Sequence, residues 1–503
     1  MAEQAPYFNE LKEPELNMRW PSIAACREYI RDYAIMKKFT WKMPKNDGDR
    51  FIAVCVNEAK GCTWKFVARV SQAKRGDRHT CMCKTLVNEH TSSCIGNREF
   101  RNTLVDSNWV AAKLEEDVRE HKTVYKARGI VKEIWKRYAQ EITYFIGWHA
   151  RQKIMERIHG NYEESYRIAS ECCVQVRKRN PGSIAACRRG VDERLKGMCI
   201  SFGSCLKGFR EGCRPVLGLD GCFLKGKYGG MCLSITALDG NNGLFPIAIY
   251  LCRNECKETW KDFLEALEPE LTLHEQKLVF MSDQQKGLRE VVEELFPNST
   301  HRFCFRHMFQ NFKKDNGGGA LFEMLCWGAA RAYKESDAKD WMAKIAAEDQ
   351  GAHDWLVKRN VNTWSRAYFE SYSTCEHITN NFSESFNSWI FELRDKPVST
   401  FVFEYTKMVM CLLYKRNSKA KTMDSNGVVP RVHKIVKKLE GKIGDYTWHG
   451  AANGMFSVEK SKDDCWLVDL NTKTCECNQW QLTGIPCVHA VCIIATSRLP
   501  LVR

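Results

Sequence analysis

The first part of the chain alternates between short apolar runs and polar breaks. The stretch RFIAVCVNEAKGCTWKFVARVSQ, which begins at Arg50, has apolar and β-branched residues in two runs separated by NEAKG. Such runs are typical of a β-hairpin. Further along, in WVAAKLEEDVREH, apolar positions recur every three or four residues, which is the spacing of an amphipathic helix. The pattern predicts a β-rich domain over residues 18–98 and a helical segment over residues 104–180.

The pattern changes after Pro215. PVLGLDGCFL is an apolar run interrupted by Asp220, and MCLSITALDGNNGLFPIAIYLC indicates two strands joined by a tight turn. KETWKDFLEALEPEL has the spacing of an amphipathic helix, and KLVFMSD is an apolar run that ends at Asp283. A helix, a short strand and another helix follow. This order predicts a mixed α/β sheet with Asp220 and Asp283 at strand ends.

The rest of the chain is predicted to be helical as far as a cysteine-rich tail. An all-helical insertion spans about residues 318–376, and TNNFSESFNSWIFELRDKPV resumes as a helix that stops before Pro397. The linker KAKTMDSNGVVPR then leads to the tail, residues 445–497. The fold class is therefore α/β multidomain, with the mixed sheet and its insertion over residues 213–420.

Composition narrows the class of protein. A chain of 503 residues is too long for one core, and 44% hydrophobic with 27% charged residues is typical of globular proteins. No apolar stretch reaches the ~20 residues of a membrane helix, and the acidic N-terminus lacks a signal-peptide core. We therefore expect a soluble intracellular protein without a membrane partner.

The net charge of +15 favours a polyanionic partner. Basic residues concentrate in the first 180 residues, in KKFTWKMPK, REHKTVYKARGIVKEIWKRY and CVQVRKRNPG. Charge alone leaves two interpretations open, solvated helix faces or a surface that binds DNA.

The 25 cysteines are of two kinds. In a reducing compartment, clustered cysteines indicate metal binding, and scattered ones are small core residues. We assign the second role to Cys172, Cys173, Cys187 and Cys205.

The densest cluster lies near the C-terminus, in CECNQWQLTGIPCVHAV. Its four potential ligands, of the types that Zn²⁺ prefers, are Cys475, Cys477, Cys487 and His489. A zinc ion with four protein ligands is structural, so it would fold a tail that is too small for its own core. Loss of Cys487 should then unfold the tail without altering an acidic site elsewhere.

Three carboxylates are candidates for catalysis. Asp220 interrupts an apolar strand, and a buried carboxylate needs a compensating partner. Asp283 ends a strand, although helix capping would also explain it, and Asp239 in DGNNG fits a turn better. If the strands bring Asp220 and Asp283 together, divalent cations could relieve their repulsion and support phosphodiester chemistry. Glu384 is the best-placed third acid.

Several motifs resemble one family. FREGCRPVLGLDGCFLKGKYGGMCLSITALDGNNGLFPIAIYLCRNECKETWKDFLEAL is similar to the catalytic domain of plant Mutator-like element transposases. VFMSDQQKGLREVVEELFP, HRFCFRHMFQNFKK and TNNFSESFNSWIFELRDKPV continue the match in the family's order. The resemblance extends from about residue 18 to residue 495.

The resemblance implies an RNase H-like fold with a DDE metal triad that binds Mg²⁺ or Mn²⁺. Asp220 would be the first acid, Asp283 the second and Glu384 the third, with Glu376 and Glu370 as alternatives for the third. The family pattern includes the pair Cys304 and His307, which we expect to shape the catalytic pocket, with His307 near phosphate or metal.

The resemblance also implies a zinc domain at each end. The C-terminal cluster matches a SWIM zinc finger, and Cys492 is expected to be buried rather than ligating. The N-terminal region resembles a WRKY-like DNA-recognition domain, whose ligands would be Cys55, Cys62, His90 and Cys94. His79, Cys81 and Cys83 are competing ligands, because HTSSC is longer than the usual His–Cys pair. Trp64, Lys65 and Arg69 have the character of residues that face DNA.

The expected function is DNA transposition. The protein would bind terminal inverted repeats, cut a strand and join it to target DNA, as a homo-oligomer in the nucleus. One alternative is a catalytically silent transcription regulator of the far-red-impaired type. Another is a decayed element fragment, because both ends of the chain leave room for truncation.

Overall fold

A computed structural model describes residues 11–70, 79–94, 101–121, 126–425, 427–462 and 464–499. They form two compact units, Met1–Asn161 and Tyr162–Arg503, called unit 1 and unit 2 below. None of the helices in the described ranges combines the length and the apolar character that crossing a membrane requires. Parts of the predicted segments 18–98 and 104–180 lie outside the described residues, and the predicted domain boundaries stay predictions.

Unit 1 begins with an antiparallel sheet of five strands in the order β1-β5-β4-β3-β2. The elements are β1 (Arg19–Trp20), α1 (Ile23–Met36), β2 (Trp41–Asn46), β3 (Arg50–Cys55), β4 (Lys65–Val70) and β5 (Cys81–Val87). The β3–β4 pair, with Ile52 opposite Val67, is the predicted hairpin.

Helix α1 was not anticipated in the β-rich region. The Ser22 hydroxyl accepts a hydrogen bond from the Ala25 amide at 3.1 Å and so caps its first turn. Cys26, Ile30 and Tyr33 form its buried stripe, which belongs to the same apolar cluster as the sheet. The helix therefore supplies the second layer that a half-apolar sheet needs.

Helices follow the sheet, as the apolar spacing predicted. In unit 1 they are α2 (Ser107–His121), α3 (Ala127–Tyr138) and α4 (Tyr144–His159), which share a core that includes Trp109, Ile134 and Ile154. The last two helices of the predicted segment belong to unit 2, and they are α5 (Tyr162–Arg167) and α6 (Ala169–Arg179).

A seven-stranded mixed sheet forms the centre of unit 2, in the order β12-β11-β8-β9-β10-β7-β6. Its elements are β6 (Ile184–Arg189), β7 (Leu195–Ser201), α7 (Gly203–Gly212), β8 (Val216–Phe223), β9 (Met231–Leu238), β10 (Leu244–Cys252), α8 (Lys257–Leu271), β11 (Val279–Ser282), α9 (Leu288–Leu295) and β12 (Thr300–Phe303). Strands β8, β11 and β12 are parallel, and the other pairs are antiparallel. The sequence pattern identified all of these from β8 onwards, and it left β6, β7 and α7 unassigned.

The insertion after β12 is helical, and a segment with a short 3₁₀ turn at Ser371–Ser373 leads to a later helix, which packs on the sheet. The helices are α10 (Phe305–Asn316), α11 (Ala320–Arg331), α12 (Glu335–Glu348), α13 (Gln350–Val357), α14 (Asn381–Trp389) and α15 (Val398–Ala420). We call residues 369–380, which connect the insertion to α14, the strap.

A four-stranded antiparallel sheet and three helices form the C-terminal part of unit 2. They are α16 (Pro430–Glu440), β13 (Thr447–Gly450), β14 (Met455–Ser461), β15 (Asp464–Asp469), β16 (Thr474–Cys475), α17 (Gln479–Thr483) and α18 (Val488–Thr496). With three sheets and 18 helices in the described residues, the predicted mixed α/β class is confirmed.

A buried arginine ties the strap to the edge of the large sheet. Arg302 on β12 is 0% exposed, and its guanidinium donates to the Cys375 carbonyl at 3.0 Å and to the Ser373 hydroxyl at 2.8 Å. The guanidinium carbon also lies 3.9 Å from the centre of the Phe369 ring. Because a buried cation needs such partners, this contact holds the strap in place.

We predict that Arg302→Met lowers the free energy of unfolding of the full chain by about 2–3 kcal/mol, because two strap acceptors lose their donor. Urea unfolding measures the change. The control, Arg289→Met, removes an exposed pair with Glu293 and should change the free energy by about 0.5 kcal/mol or less. Equal stability of the two variants would contradict the role given to Arg302.

Candidate functional site

The N-terminal Cys/His cluster is built at one end of the unit 1 sheet. Cys55 ends β3, Cys62 follows the turn at Gly61, and His90 and Cys94 follow β5. Their ligand atoms all lie within 4.8 Å of one another. The Cys55 and Cys94 sulfurs are 3.7 Å apart, and His90 Nδ1 lies 3.2 Å from the Cys62 sulfur.

These distances fit a zinc ion. With bonds of about 2.3 Å to sulfur and 2.0 Å to nitrogen, a tetrahedral site has edges of about 3.5–3.8 Å. Burial lowers the pKa of His90 and so favours the neutral imidazole, which is the form that binds a metal. The competing cysteines, Cys81 and Cys83, are buried in the sheet core beside Cys26, and neither they nor His79 belong to the cluster.

The structure corrects the role expected for Trp64. Its side chain is 1% exposed, its indole nitrogen donates to the Asn88 side chain at 3.2 Å, and its ring stacks on His90. Trp64 therefore packs behind the cluster and does not face DNA. Lys65 and Arg69, on strand β4 directly after Trp64, are exposed.

The C-terminal cluster joins a strand to a helix. Cys475 lies in β16, Cys477 follows it, and Cys487 and His489 lie at the start of α18. His489 Nδ1 is 3.4 Å from the Cys475 sulfur and 3.8 Å from that of Cys487, and all four ligand atoms lie within 4.8 Å. The Trp466 ring stacks on His489 with centroids 4.1 Å apart, which fixes the imidazole.

The four residues again fit a tetrahedral zinc ion that is closed to further ligands. Gln481 braces the first ligand, because its side chain accepts from the Cys475 amide at 3.1 Å and donates to the Cys475 carbonyl at 2.9 Å. Cys492 is buried, and its thiol faces the Tyr446 carbonyl at 3.8 Å. It is not part of the cluster.

The acidic residues of unit 2 are brought together by a parallel strand pair. Gly218 of β8 is opposite Met281 of β11, the last pair of this register. Continued by two residues, the register brings Asp220 and Asp283 to about the same level on one face, and the charge of Asp283 acts on Asp220. Neighbouring strands are about 4.8 Å apart. Asp220 lies inside β8 and not at its end as predicted, whereas Asp283 directly follows β11.

Helix α14 covers this face closely because residue 218 is a glycine. A β-carbon there would collide with Ser383 and Asn380. Asn380 donates its side-chain amide to the Leu219 carbonyl at 2.9 Å, and the Asn387 amide donates to the Asp220 carboxylate at 2.7 Å. The close approach therefore connects α14 directly to the strand that carries Asp220.

Asp220 has an unusual charge environment. Burial, followed by the negative charge of Asp283, raises its pKa from 3.8 to about 7. One oxygen accepts from the Gly221 amide at 2.9 Å, which opposes the shift. The two aspartates thus form a site in which a second negative charge is disfavoured unless a cation or a proton is added.

Glu384, on the first turn of α14, is paired with two cations of α10. The Arg306 guanidinium donates to it at 2.7 Å, and His307 Nε2 lies 3.5 Å from its other oxygen. Contact with Cys304 and then the charges of Asp283 and Glu384 raise the pKa of His307 to about 9, against the effect of burial. Among the described residues, the three acids are not gathered within 4.8 Å as the zinc ligands are.

Cys304 connects the helix of His307 to the strap. It is buried immediately before α10, and its sulfur accepts a hydrogen bond from the backbone amide of Asn380 at 3.2 Å. The alternative acids have other partners, since Glu376 pairs with Arg431 at 2.7 Å and Glu370 accepts from the Thr300 hydroxyl at 2.9 Å. Asp239 accepts from amides of its own turn, as expected.

Sequence reasoning missed two charged neighbours of the site. Arg306 gave no signal beyond a basic residue on a helix. Glu255 follows β10, accepts from the Trp260 indole at 3.0 Å and lies against Gly221. Burial, partly offset by Trp260, and then the charge of Asp283 raise its pKa. Its loop, RNEC, has no pattern that distinguishes it from a solvated turn.

We predict that the purified chain contains about two zinc ions, one for each cluster. Cys487→Ser and Cys62→Ser should each lose one ion, because each removes a ligand. Metal analysis by mass spectrometry measures the stoichiometry. The buried cysteines outside the clusters provide matched controls, and Cys492→Ser and Cys81→Ser should retain both ions. Loss of zinc from a control would reassign the ligands.

The raised pKa of Asp220 should make the stability of the protein depend on pH. An acid with a raised pKa contributes stability that is fully present below its unfolded value near 3.8 and is lost as the pH rises through about 7. Without added divalent metal, Asp220→Asn should therefore melt about 5 °C higher than the parent at pH 8 and at the same temperature at pH 4. Differential scanning fluorimetry measures this, and the exposed Asp340→Asn should have no effect at either pH.

Three family models match the chain. The model of the MuDR family transposase matches residues 15–77, that of the MULE transposase domain residues 216–311, and that of the SWIM zinc finger residues 458–494. The second match contains Asp220, Asp283 and His307 and ends before Glu384. A search of curated proteins found no match. The SWIM match and the Cys/His clusters support zinc binding, and the three family matches together support a Mutator-like transposase.

Proposed function

We propose that the protein binds terminal inverted repeats, cuts the DNA strand in a reaction that depends on Mg²⁺ or Mn²⁺, and joins the 3′-hydroxyl to target DNA. The observation that carries this proposal is the parallel register of β8 and β11, which sets Asp220 beside Asp283 on the face covered by α14. Glu384 on α14 completes the proposed DDE triad.

The sheet supports an RNase H-like core. Three antiparallel strands, β8 to β10, are followed by a helix and then by β11 and β12, which lie parallel to β8 on its other side. The helical insertion separates the second acid from the third, as in the family pattern. In this arrangement the three acids would lie at one face of the same sheet, although Glu384 is far from the two aspartates in the sequence.

The carboxylates suit a hard divalent cation. Asp220, Asp283 and Glu384 would hold it through oxygen atoms, which Mg²⁺ and Mn²⁺ prefer. The raised pKa of Asp220 beside a second carboxylate fits such an ion, because a cation relieves the repulsion. A metal held there would supply the activation of the attacking water or 3′-hydroxyl and the stabilisation of the leaving oxygen.

Residues of the chain itself position the acids and the DNA. The Asn387 amide holds one oxygen of Asp220 and so orients the other. Arg306, together with His307, which is protonated at neutral pH, would attract a phosphate of the DNA backbone. Both cations are paired with Glu384 in this structure, so phosphate binding to Arg306 would free Glu384 for the metal.

The DNA partner is supported by unit 1 and by charge. The MuDR family match covers strands β1 to β4 of the N-terminal sheet, where Lys65 and Arg69 are exposed, and the net charge is +15. We propose that this domain binds terminal inverted repeats. Two transposon ends must meet for strand transfer, so we propose that the protein acts as a homo-oligomer. We also propose that it acts in the nucleus, where the target DNA is located.

One observation favours a second candidate function. The ion pairs of Glu384 with Arg306 and His307 satisfy the third acid without a metal. A protein that binds DNA without cutting it, such as a domesticated transcription regulator, would tolerate this arrangement permanently. A decayed element would retain it as well.

The test is DNA nicking by the purified full chain with Mg²⁺ or Mn²⁺. The substrate is a supercoiled plasmid with candidate terminal inverted repeats from the sequence that flanks the gene. We predict nicking near the repeats, reduced about a thousandfold or more in Asp220→Ala and in Asp283→Ala, because each removes a metal ligand.

The control is Asp340→Ala, an exposed aspartate of α12 that should nick like the parent. Nicking that survives in both active-site variants would come from a contaminant and would remove the proposal. Specific binding of the repeats without nicking by the parent would favour the regulator.

A further inference from the structure

The loop between the two ligand pairs of the C-terminal cluster reaches beyond the zinc finger. We call residues 478–486 the zinc loop; it directly follows Cys477, directly precedes Cys487 and contains α17. Both of its ends are therefore attached to ligands of the same metal. A loop this short has no core of its own, so the metal, when bound, fixes its ends.

One side of the zinc loop is embedded in the helical insertion. Leu482 is 1% exposed and belongs to the same buried cluster as Phe305 of α10, Trp364 of the insertion and Ile378 of the strap. The Asn478 side chain donates to the Tyr333 carbonyl at 2.9 Å. A residue of the finger thus completes the core of a distant segment.

The other side of the zinc loop lies against the strap. Gly484 has a φ of +69°, and a β-carbon there would come within 3.0 Å of the Thr374 side chain. Helix α17 also packs on the turn Ser371–Ser373, whose Ser373 accepts the hydrogen bond of Arg302. The strap is consequently held between the edge strand β12 and the finger.

The strap continues directly into the acidic site. The Ile378 carbonyl accepts at 2.8 Å from the amide of Phe305, the first residue of α10, which also carries Arg306 and His307. Asn380 joins the strap to Cys304 and to the carbonyl before Asp220, and α14 with Glu384 begins at the next residue. Contacts therefore run without interruption from the zinc loop to the residues around Asp220 and Glu384.

We propose that the zinc loop is a positioning element of the acidic site, through which zinc binding at the C-terminal finger orders the strap and thereby Asn380 and Glu384. The catalytic consequence rests on the proposed function, but the ordering of the strap does not. The sequence led to the opposite expectation, that loss of Cys487 would leave the acidic site unaltered.

Hydrogen–deuterium exchange of the full chain tests the proposal. In Cys487→Ser, peptides that cover residues 371–384 should exchange about tenfold faster than in the parent, because the loop loses its fixed end. Leu482→Ala should retain about two zinc ions and still accelerate exchange of the strap, because it removes the anchor and not the ligand.

Two matched controls separate this effect from general destabilisation. Leu467→Ala, at a 47% exposed position of β15 in the same finger, should leave exchange of the strap unchanged. Cys62→Ser should lose the N-terminal zinc and also leave the strap unchanged. If Cys487→Ser loses its zinc and the strap still exchanges as in the parent, the proposal is wrong, whether or not Leu482→Ala folds.

The same variants distinguish this proposal from the proposed function. Accelerated exchange of the strap in a protein whose parent does not nick DNA supports the coupling and contradicts the transposase activity. Where the parent nicks, Leu482→Ala should reduce the nicking rate about tenfold or more with its zinc content unchanged. Full activity of that variant alongside a strap that exchanges faster would contradict the positioning role.

Discussion

The parallel pairing of β8 with β11 is the constraint on which the candidate site depends. It places two carboxylates at one level on one face of the sheet, and the glycine at position 218 lets α14 close over them. Closure removes water from Asp220, and this burial, with the charge of Asp283, raises its pKa to about 7. The fold thus keeps a buried carboxylate next to a second one, which is unfavourable for stability. Strongly shifted pKa values of this kind are concentrated at functional sites.

The sequence predicted the zinc clusters well because a zinc ligand is recognised by its residue type and its close spacing. Cys55 and Cys94 are far apart in sequence, but there the small number of cysteines and histidines limited which residues could be the ligands. Trp64 was misassigned, because the sequence does not show to which side an aromatic residue directly before a basic strand points. Helix α1 was missed because its buried stripe of Cys26, Ile30 and Tyr33 lies in a region dominated by strand patterns.

The acidic site was predictable only in part, and for a different reason. Strand patterns and the family resemblance located Asp220 and Asp283, but the alternation of apolar residues could not tell the middle of β8 from its end. Partners that come from remote segments, such as Arg306 for Glu384 and Asn387 for Asp220, leave no periodic signal. These pairs can be identified only in the folded structure, where the strap leads to α14 and α14 packs on the sheet.

The C-terminal Cys/His cluster and the acidic site of unit 2 therefore differ in the partners of their potential metal ligands. The zinc ligands lie at the distances of a tetrahedron, so a single zinc ion would hold all four of them and the ends of the zinc loop. In the acidic site, Arg306 and His307 pair with Glu384, while the charge of Asp283 contributes to the raised pKa of Asp220. A cation placed between the aspartates gains from their repulsion, but it must compete with Arg306 for the third acid. If the proposed function holds, a DNA phosphate that engages Arg306 would remove this competition, so metal binding and DNA binding at this site would favour each other.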